Sequence, residues 1–272
     1  MRAKKSLGQN FLIDEHVIEK IIRALEPRSG ETIVEIGPGQ GALTSRLIEK
    51  AVRLVAIEFD RELMPLLSER FGARENFTLI EGDALQVNLC EAIAPAASAH
   101  LVANLPYYIS TAILQKLLEQ RACLSEAVLM LQREVVERIT AAPATSERGY
   151  LSVLVEAYAE VENLFDVSPA AFRPVPKVWS TVIRLRLRPS VAVEVKDEAL
   201  FRQLVSAGFA QKRKTIFNNL RHAPDKLRER IEESGGAARL LERASIEARR
   251  RAETLTLEEW ARMTDILEPS SL

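Results

Sequence analysis

The chain has 272 residues, 47% hydrophobic and 28% charged, with a formal net charge of −1, a composition that fits one large folded domain plus a small one. No apolar run approaches the roughly 20 residues of a membrane span, and the opening Met1–Gly8 lacks the apolar core of a secretory signal, so the expectation is a cytoplasmic protein without membrane contact. Two cysteines and three scattered histidines exclude a disulfide-rich scaffold and offer no metal-ligand spacing; Cys90 and Cys123 read as small apolar core residues, and no metal site is expected.

The first two thirds alternate short apolar runs with amphipathic stretches. Thr32–Ile36 reads as a strand followed by a helix over Gly41–Lys50, and Leu54–Glu58 as a strand followed by a helix over Arg61–Phe71. Phe77–Glu81 and Leu101–Asn104 are further strands, with a helix over Ser110–Gln120. Ala127–Leu131 is a fifth strand, with a helix from Arg133. This rhythm predicts a parallel sheet covered on both faces. Val161–Val167 and Thr181–Leu187 read as two more strands, the last alternating apolar and basic residues. After Pro189 the pattern becomes helical, over Asp197–Ala210, Arg213–Leu220, Pro224–Ser234 and Thr256–Leu267, with Asp197 and Thr256 as N-caps and Gly235-Gly236 as a stop. The expected division is 1–188 as an α/β domain and 189–272 as a small all-helical domain.

The glycine loop Glu35-Ile-Gly-Pro-Gly-Gln-Gly41 follows the first strand and opens a helix. Glycines there let the backbone turn sharply and approach a ligand. The spacing G-x-G-x-G differs from the G-x-G-x-x-G of dinucleotide dehydrogenases, so a nucleotide-dependent oxidoreductase is disfavoured. Glu58 ends the second strand, where a carboxylate can accept from both ribose hydroxyls of a nucleoside. Asp83 follows the third strand, where it can accept from an adenine amine. Strand ends of this kind converge on one crevice.

The fourth strand ends in Asn104-Leu-Pro-Tyr107, with Tyr108 beside it. This tetrapeptide resembles the N/D-P-P-Y/F motif of methyltransferases that act on amino groups of bases. The chemistry accounts for the residue types. An adenine N6 amine is a poor nucleophile because its lone pair is delocalised into the ring. The Asn104 side-chain oxygen and the Leu105 carbonyl can hold the amine hydrogens, Pro106 stiffens the turn, and Tyr107 can stack on a flipped base.

Taken in order, these motifs resemble one family over almost the whole chain. They are Ser6-Leu-Gly-Gln-Asn-Phe-Leu12, the glycine loop, Glu58, Glu81-Gly-Asp83 and Asn104-Leu-Pro-Tyr-Tyr-Ile-Ser110. Gln132-Arg-Glu-Val135, Phe172-Arg-Pro-Val-Pro-Lys-Val-Trp-Ser180 and Phe209-Ala-Gln-Lys-Arg-Lys-Thr-Ile-Phe-Asn218 complete the set. The family is that of the ribosomal RNA adenine dimethyltransferases, the KsgA type in bacteria. The resemblance implies a Rossmann-like class I methyltransferase sheet and S-adenosylmethionine as methyl donor. It implies dimethylation at N6 of two adjacent adenosines in a hairpin near the 3′ end of small-subunit rRNA, late in ribosome assembly. It further implies that Asn10 and Leu12 close over the donor, that Gly37, Glu58 and Asp83 hold it, and that Asn104 sits between donor and target.

Given that family likeness, Phe172 is expected to stack on the far side of the target base, the other reading being a loop anchor packed on the sheet. Arg173 and Lys177 can touch phosphates, and Lys212, Arg213 and Lys214 can track the RNA backbone. Residues 181–272 suit that partner, with 18 Lys and Arg against 14 Asp and Glu, whereas residues 1–180 carry 19 against 24. Arg249-Arg-Arg251 reads as a solvated helix face. The partner implied is the small-subunit rRNA or the pre-small subunit, bound by a monomer. Two alternatives stay open: a methyltransferase of the related resistance class acting on large-subunit rRNA, and a non-catalytic nucleic-acid-binding relative.

Overall fold

The computed structural model describes residues 4, 8–50, 52–106 and 109–268. They fall into two compact units: Met1–Val136 with Ala159–Pro189, and Glu137–Tyr158 with Ser190–Leu272. The main stretch of the second unit begins at Ser190, and the unit also takes in Glu137–Tyr158, which the sequence pattern places with the sheet. The reason lies in the helix Tyr150–Tyr158, in which Leu151–Val155, Ala157 and Tyr158 are all buried. A helix buried over most of its surface belongs inside a core rather than on a sheet face.

The first unit is built on a seven-stranded sheet. In chain order its strands are β2 (Thr32–Ile36), β3 (Arg53–Glu58), β4 (Phe77–Glu81), β5 (Ala99–Asn104), β6 (Leu124–Gln132), β7 (Ala159–Val167) and β9 (Ser180–Leu187), arranged β4-β3-β2-β5-β6-β9-β7. Strands β2 to β6 are parallel, and β9 runs antiparallel to both β6 and β7. The inner strands are largely apolar because both faces are covered; all five residues of β2 are buried, Glu35 among them. At the β7–β9 edge the polar face is paired rather than merely wet. Arg184 lies opposite Glu162 and bonds it at 2.9 Å, and also reaches Glu126 at 3.1 Å.

A separate two-stranded ribbon joins β1 (Phe11–Leu12) to β8 (Phe172–Arg173). After β1 comes α1 (Glu15–Leu25), capped by the Asp14 carboxylate, which accepts from the amides of His16 and Val17. Its buried residues Ile18, Ile21, Ile22 and Leu25 follow the helical repeat and join Ile33, Leu54, Val102, Val128 and Val182 of the sheet in one core. The helices α2 (Ala42–Ile48), α3 (Met64–Phe71), α4 (Leu89–Ala92) and α5 (Ser110–Glu119) complete this unit, and the chain division falls inside α6 (Arg133–Ile139).

The cysteine expectation is corrected. Cys90 in α4 and Cys123 in the 3-10 turn after α5 are joined by a disulfide, with Cα atoms 5.4 Å apart. The Gln120 carboxamide accepts from the Leu89 amide at 2.8 Å and holds the two turns together. That pairing spans an intervening strand, so cysteine spacing alone does not reveal it.

The second unit contains α7 (Tyr150–Tyr158), α8 (Glu198–Gly208), α9 (Ile216–Arg221), α10 (Asp225–Glu233), α11 (Gly236–Arg243) and α12 (Leu257–Leu267). Asp197 caps α8 and Thr256 forms a full capping box with Glu259 at α12. The fully buried Trp260 lies against Gly208, where a Cβ would overlap its ring. The Gly235-Gly236 pair ends α10 but also starts α11, which the sequence reading omits. Arg249–Arg251 is not helical, and Arg250 forms an ion pair with Glu259, which corrects the solvated-face expectation for that residue. Among the described residues no helix is long and apolar enough to cross a membrane, and no group of three or more His, Cys, Asp or Glu forms a metal-holding cluster.

Candidate functional site

The C-terminal ends of β2 to β5 meet around one cavity of about 270 Å³, lined entirely by residues of the first unit. Its apolar walls include Phe11, Ile36, Ile57, Phe59, Leu63, Leu85 and Ile109, and its polar groups include Asn10, Glu58, Asp83 and Asn104. Apolar walls with a few converging polar groups are the ordinary make-up of a small-molecule site.

The glycine loop forms one side. Gly37, Gly39 and Gly41 all have positive φ, which strains any side-chain-bearing residue. At Gly39 and Gly41 the space is also taken. A Cβ on Gly39 would stand 3.2 Å from the Phe11 ring, and one on Gly41 would come within 2.6 Å of Phe71. Gly39 donates its amide to Glu58 Oε2 at 3.1 Å, and the Asp60 amide donates to Oε1 at 2.8 Å. Glu58 is 6% exposed. Burial pushes its carboxyl above the usual range, against the pull of those amides. Its carboxylate is therefore fixed in place, and each oxygen keeps acceptor capacity toward the cavity.

Behind the loop lies Glu35, 2% exposed, which accepts from the Thr44 hydroxyl at 2.7 Å. Burial raises its carboxyl to about 7; the Thr44 bond opposes this and the Glu58 charge adds to it. Glu35 does not line the cavity.

Asp83 follows β4 in a tight turn, its Oδ1 accepting from the Leu85 amide at 2.9 Å. The Leu85 carbonyl accepts from Lys116 Nζ at 2.8 Å, so α5 holds this turn from below. Asn104, at the end of β5, donates from Nδ2 to the Asn10 carbonyl at 3.2 Å. Leu105 and Pro106 line the cavity beside it, and the Leu105 amide donates to the Met130 carbonyl at 3.3 Å. Tyr107 lies outside the described residues, as do Ser6, Leu7 and Tyr108.

The structure thus brings Asn10, Gly37, Glu58, Asp83, Asn104, Leu105 and Pro106 to one cavity, and sets two expected residues apart from it. Leu12 is 7% exposed with its side chain in the core, and it is not part of the cavity wall. Phe172 is 1% exposed in the same core, its ring covered and not part of the cavity wall. The cause is the β1–β8 ribbon, in which Leu12 faces Phe172 and Phe11 faces Arg173. Successive side chains point to opposite sides of a strand, so Phe172 goes inward and Arg173 outward. Lys177 is exposed in the same loop, and Lys212, Arg213 and Lys214 are exposed in the turn before α9.

Sequence reasoning passes over Asp60 and Lys116. Asp60 is 5% exposed and accepts from Lys4 Nζ and Gln9 Nε2, each at 2.7 Å, pinning the N-terminal segment to the end of β3. Burial works against its ionisation, yet those bonds hold its carboxyl below the usual range. Its place two residues after Glu58 is the one signal the sequence offers.

A sheet with this strand order, a glycine loop after its first parallel strand and carboxylates at the next two strand ends define a class I methyltransferase fold. Solved structures agree. A dimethyladenosine transferase from Plasmodium falciparum matches with a TM-score of 0.76 at 24% identity over 93% of this chain and 95% of that one, a likeness of fold. The 23S rRNA methyltransferase ErmE matches with a TM-score of 0.65 at 26% identity over 95% of this chain and 99% of that one.

Among curated relatives, the ribosomal RNA small subunit methyltransferase A of Clostridium botulinum (strain Okra / Type B1) is 43% identical over 264 residues, 97% of this chain and 93% of that protein. Its counterpart from Bacillus cytotoxicus is 42% identical over 275 residues, 99% and 92% of the two chains. The family model described as ribosomal RNA adenine dimethylase matches residues 1–263. The chain belongs to the ribosomal RNA adenine dimethylase family.

Proposed function

We propose that this protein methylates the N6 amine of two adjacent adenosines in a 3′-terminal hairpin of small-subunit rRNA, using S-adenosylmethionine, as a step of ribosome assembly. The observation that carries this reading is Asn104, held by the Asn10 carbonyl at the mouth of a cavity whose other polar groups suit a nucleoside. With Nδ2 committed, Oδ1 is the acceptor left to the site.

The cavity fits the donor by the chemistry of its groups. Glu58 is a fixed two-oxygen acceptor for the ribose hydroxyls, Asp83 an acceptor for the adenine amine, and Gly37 and Asn10 the close-approach backbone on either side. S-adenosylmethionine, when bound, supplies an electrophilic methyl group on a sulfonium sulfur. The protein's own task is positioning. Asn104 Oδ1 and the Leu105 carbonyl take the two amine hydrogens and favour a pyramidal nitrogen, Pro106 fixes the turn, and Tyr107 stacks on the target base. Preorganised acceptors of this kind replace a strong general base. Arg173, Lys177, Lys212, Arg213 and Lys214 hold phosphates.

The test incubates the protein and S-adenosylmethionine with undermethylated small subunits and, separately, with bare large-subunit RNA, and reads the nucleosides by mass spectrometry. Dimethyladenosine from the small subunit alone is expected. Product from large-subunit RNA alone would overturn the substrate assignment in favour of the resistance class, and no product from either would overturn the catalytic reading.

A further inference from the structure

The segment joining β8 to β9 carries a patch the family reading leaves unused. Val175, Val178 and Trp179 are 62%, 41% and 48% exposed. Among the described residues only Ile13 and Phe59 are comparably exposed large apolar groups, and Phe59 lines the cavity. Three such residues within five positions form a surface rather than scatter.

The patch is held rigidly. Phe172 and Pro176 are buried beneath it, Ser180 enters β9, and the Trp179 carbonyl accepts from the Arg133 amide at 3.1 Å. An exposed aromatic on a fixed frame loses little freedom on binding. Its setting is cationic. Arg173 and Lys177 are exposed, no acidic residue lies between Val167 and Val193 in the sequence, and neither cation has an ion-pair partner among the described residues.

Sheet register places the patch beside the site. Asn104 lies opposite Met130 on the parallel β6, and Gln132, two residues on, lies opposite Ser180 on β9. With strands about 4.8 Å apart and a rise of about 3.3 Å per residue, Ser180 is roughly 12 Å from Asn104 at the same edge of the sheet. On its other flank, Arg173 pairs with Phe11 of the cavity wall.

We propose that Trp179, flanked by Val175 and Val178, is a stacking platform for an unpaired nucleobase next to the one presented at Asn104, with Arg173 and Lys177 on the adjoining phosphates. This rests on the reading of RNA as substrate. The acid nearest by register, Asp166 opposite Thr181, is already engaged by Arg133 and the Thr181 hydroxyl. An aromatic face beside cations without ion-pair partners suits single-stranded nucleic acid, because every base has a face to stack and a phosphate to pair.

The chain has two tryptophans, and Trp260 is fully buried, so quenching of emission reports on Trp179. Full-length protein is titrated with an RNA hairpin carrying two adjacent unpaired adenosines and with a fully paired duplex of the same length. The hairpin is expected to quench Trp179 and shield it from acrylamide, the duplex much less. Trp179→Ala is expected to weaken hairpin binding and raise the KM for RNA about tenfold while keeping the thermal shift caused by S-adenosylmethionine. Trp179→Phe should restore most of the loss, which a merely structural role would not require.

Hairpin binding of wild-type strength by Trp179→Ala would overturn the platform. So would shielding of Trp179 that grows with protein concentration without RNA, which would make a second copy the occupant. Shielding by the hairpin in a protein that methylates neither subunit's RNA would sustain the platform and overturn the methylation reading instead.

Discussion

The side-chain amide of Asn104 donates to the main-chain carbonyl of Asn10 at 3.2 Å, joining residues 94 positions apart. One bond therefore sets the orientation of the central polar group of the site and fastens the N-terminal segment over the cavity.

If Asn104 Oδ1 is the acceptor that orients the target amine, Asn104→Ala should lower the rate of methyl transfer by about 10²-fold or more, the usual cost of losing one preorganised group. Donor affinity should change only a few-fold, since Glu58, Asp83 and the glycine loop are untouched. Single-turnover kinetics and calorimetric titration with S-adenosylmethionine separate the two effects. Equal loss in both would place Asn104 in donor binding rather than at the target.

Glu35 makes stability depend on pH. Its carboxyl lies near 7 in the folded chain against an ordinary 4.5, so between those values the folded state keeps a proton that the unfolded state has released. Stability is highest below the ordinary value, falls as pH rises toward 7, and is level above it, a loss on the order of 3 kcal/mol from this group. Glu35→Gln keeps a neutral partner for Thr44 and should flatten the curve, so the variant should be the more stable protein at pH 8. Urea unfolding at pH 5 and pH 8 checks this. An unchanged slope would mean that Glu35 is ionised in the folded state.

The link between Cys90 and Cys123 closes a loop of 33 residues, a constraint worth about 3 to 4 kcal/mol by chain entropy. Reductant, or Cys123→Ser, should lower the melting temperature of the first unit. Peptide mapping without reduction should recover the crosslinked pair, and two free thiols in the oxidised protein would contradict the pairing.

Lys212 and Lys214 are exposed on the second unit. Their replacement by alanine should weaken RNA binding evenly across sequences and reduce the slope of log affinity against log salt by about 1 for each lysine. An unaltered slope would remove both from the RNA interface.

The parts of the fold legible in sequence are those set by short-range pattern. The bounds of β2 and β4 match the runs at Thr32–Ile36 and Phe77–Glu81: β2 is a fully buried inner strand, and β4 is the half-buried edge strand, a short β-prone run that ends at the Gly82 turn. Helix α1 carries a cap and a clear apolar stripe, yet goes unread beside the motif-rich opening of the chain. Helix α11 is hidden by a glycine pair that serves as both stop and start. Glu58, Asp83 and Asn104 are legible because strand ends in such a sheet face a common crevice. Asp60, Lys116, the disulfide and the inward turn of Phe172 are not, since each depends on a partner 30 or more residues away.

Every residue lining the cavity falls between Gly8 and Ile109, while the exposed patch at Val175–Trp179 and the lysines before α9 come later in the chain. Under the proposed function, the donor cavity with the target-amine acceptors, and the outlying RNA-contacting surfaces, are therefore written in successive stretches of the gene. Substitutions downstream of codon 109 should then shift RNA preference while every residue of the cavity wall stays unchanged.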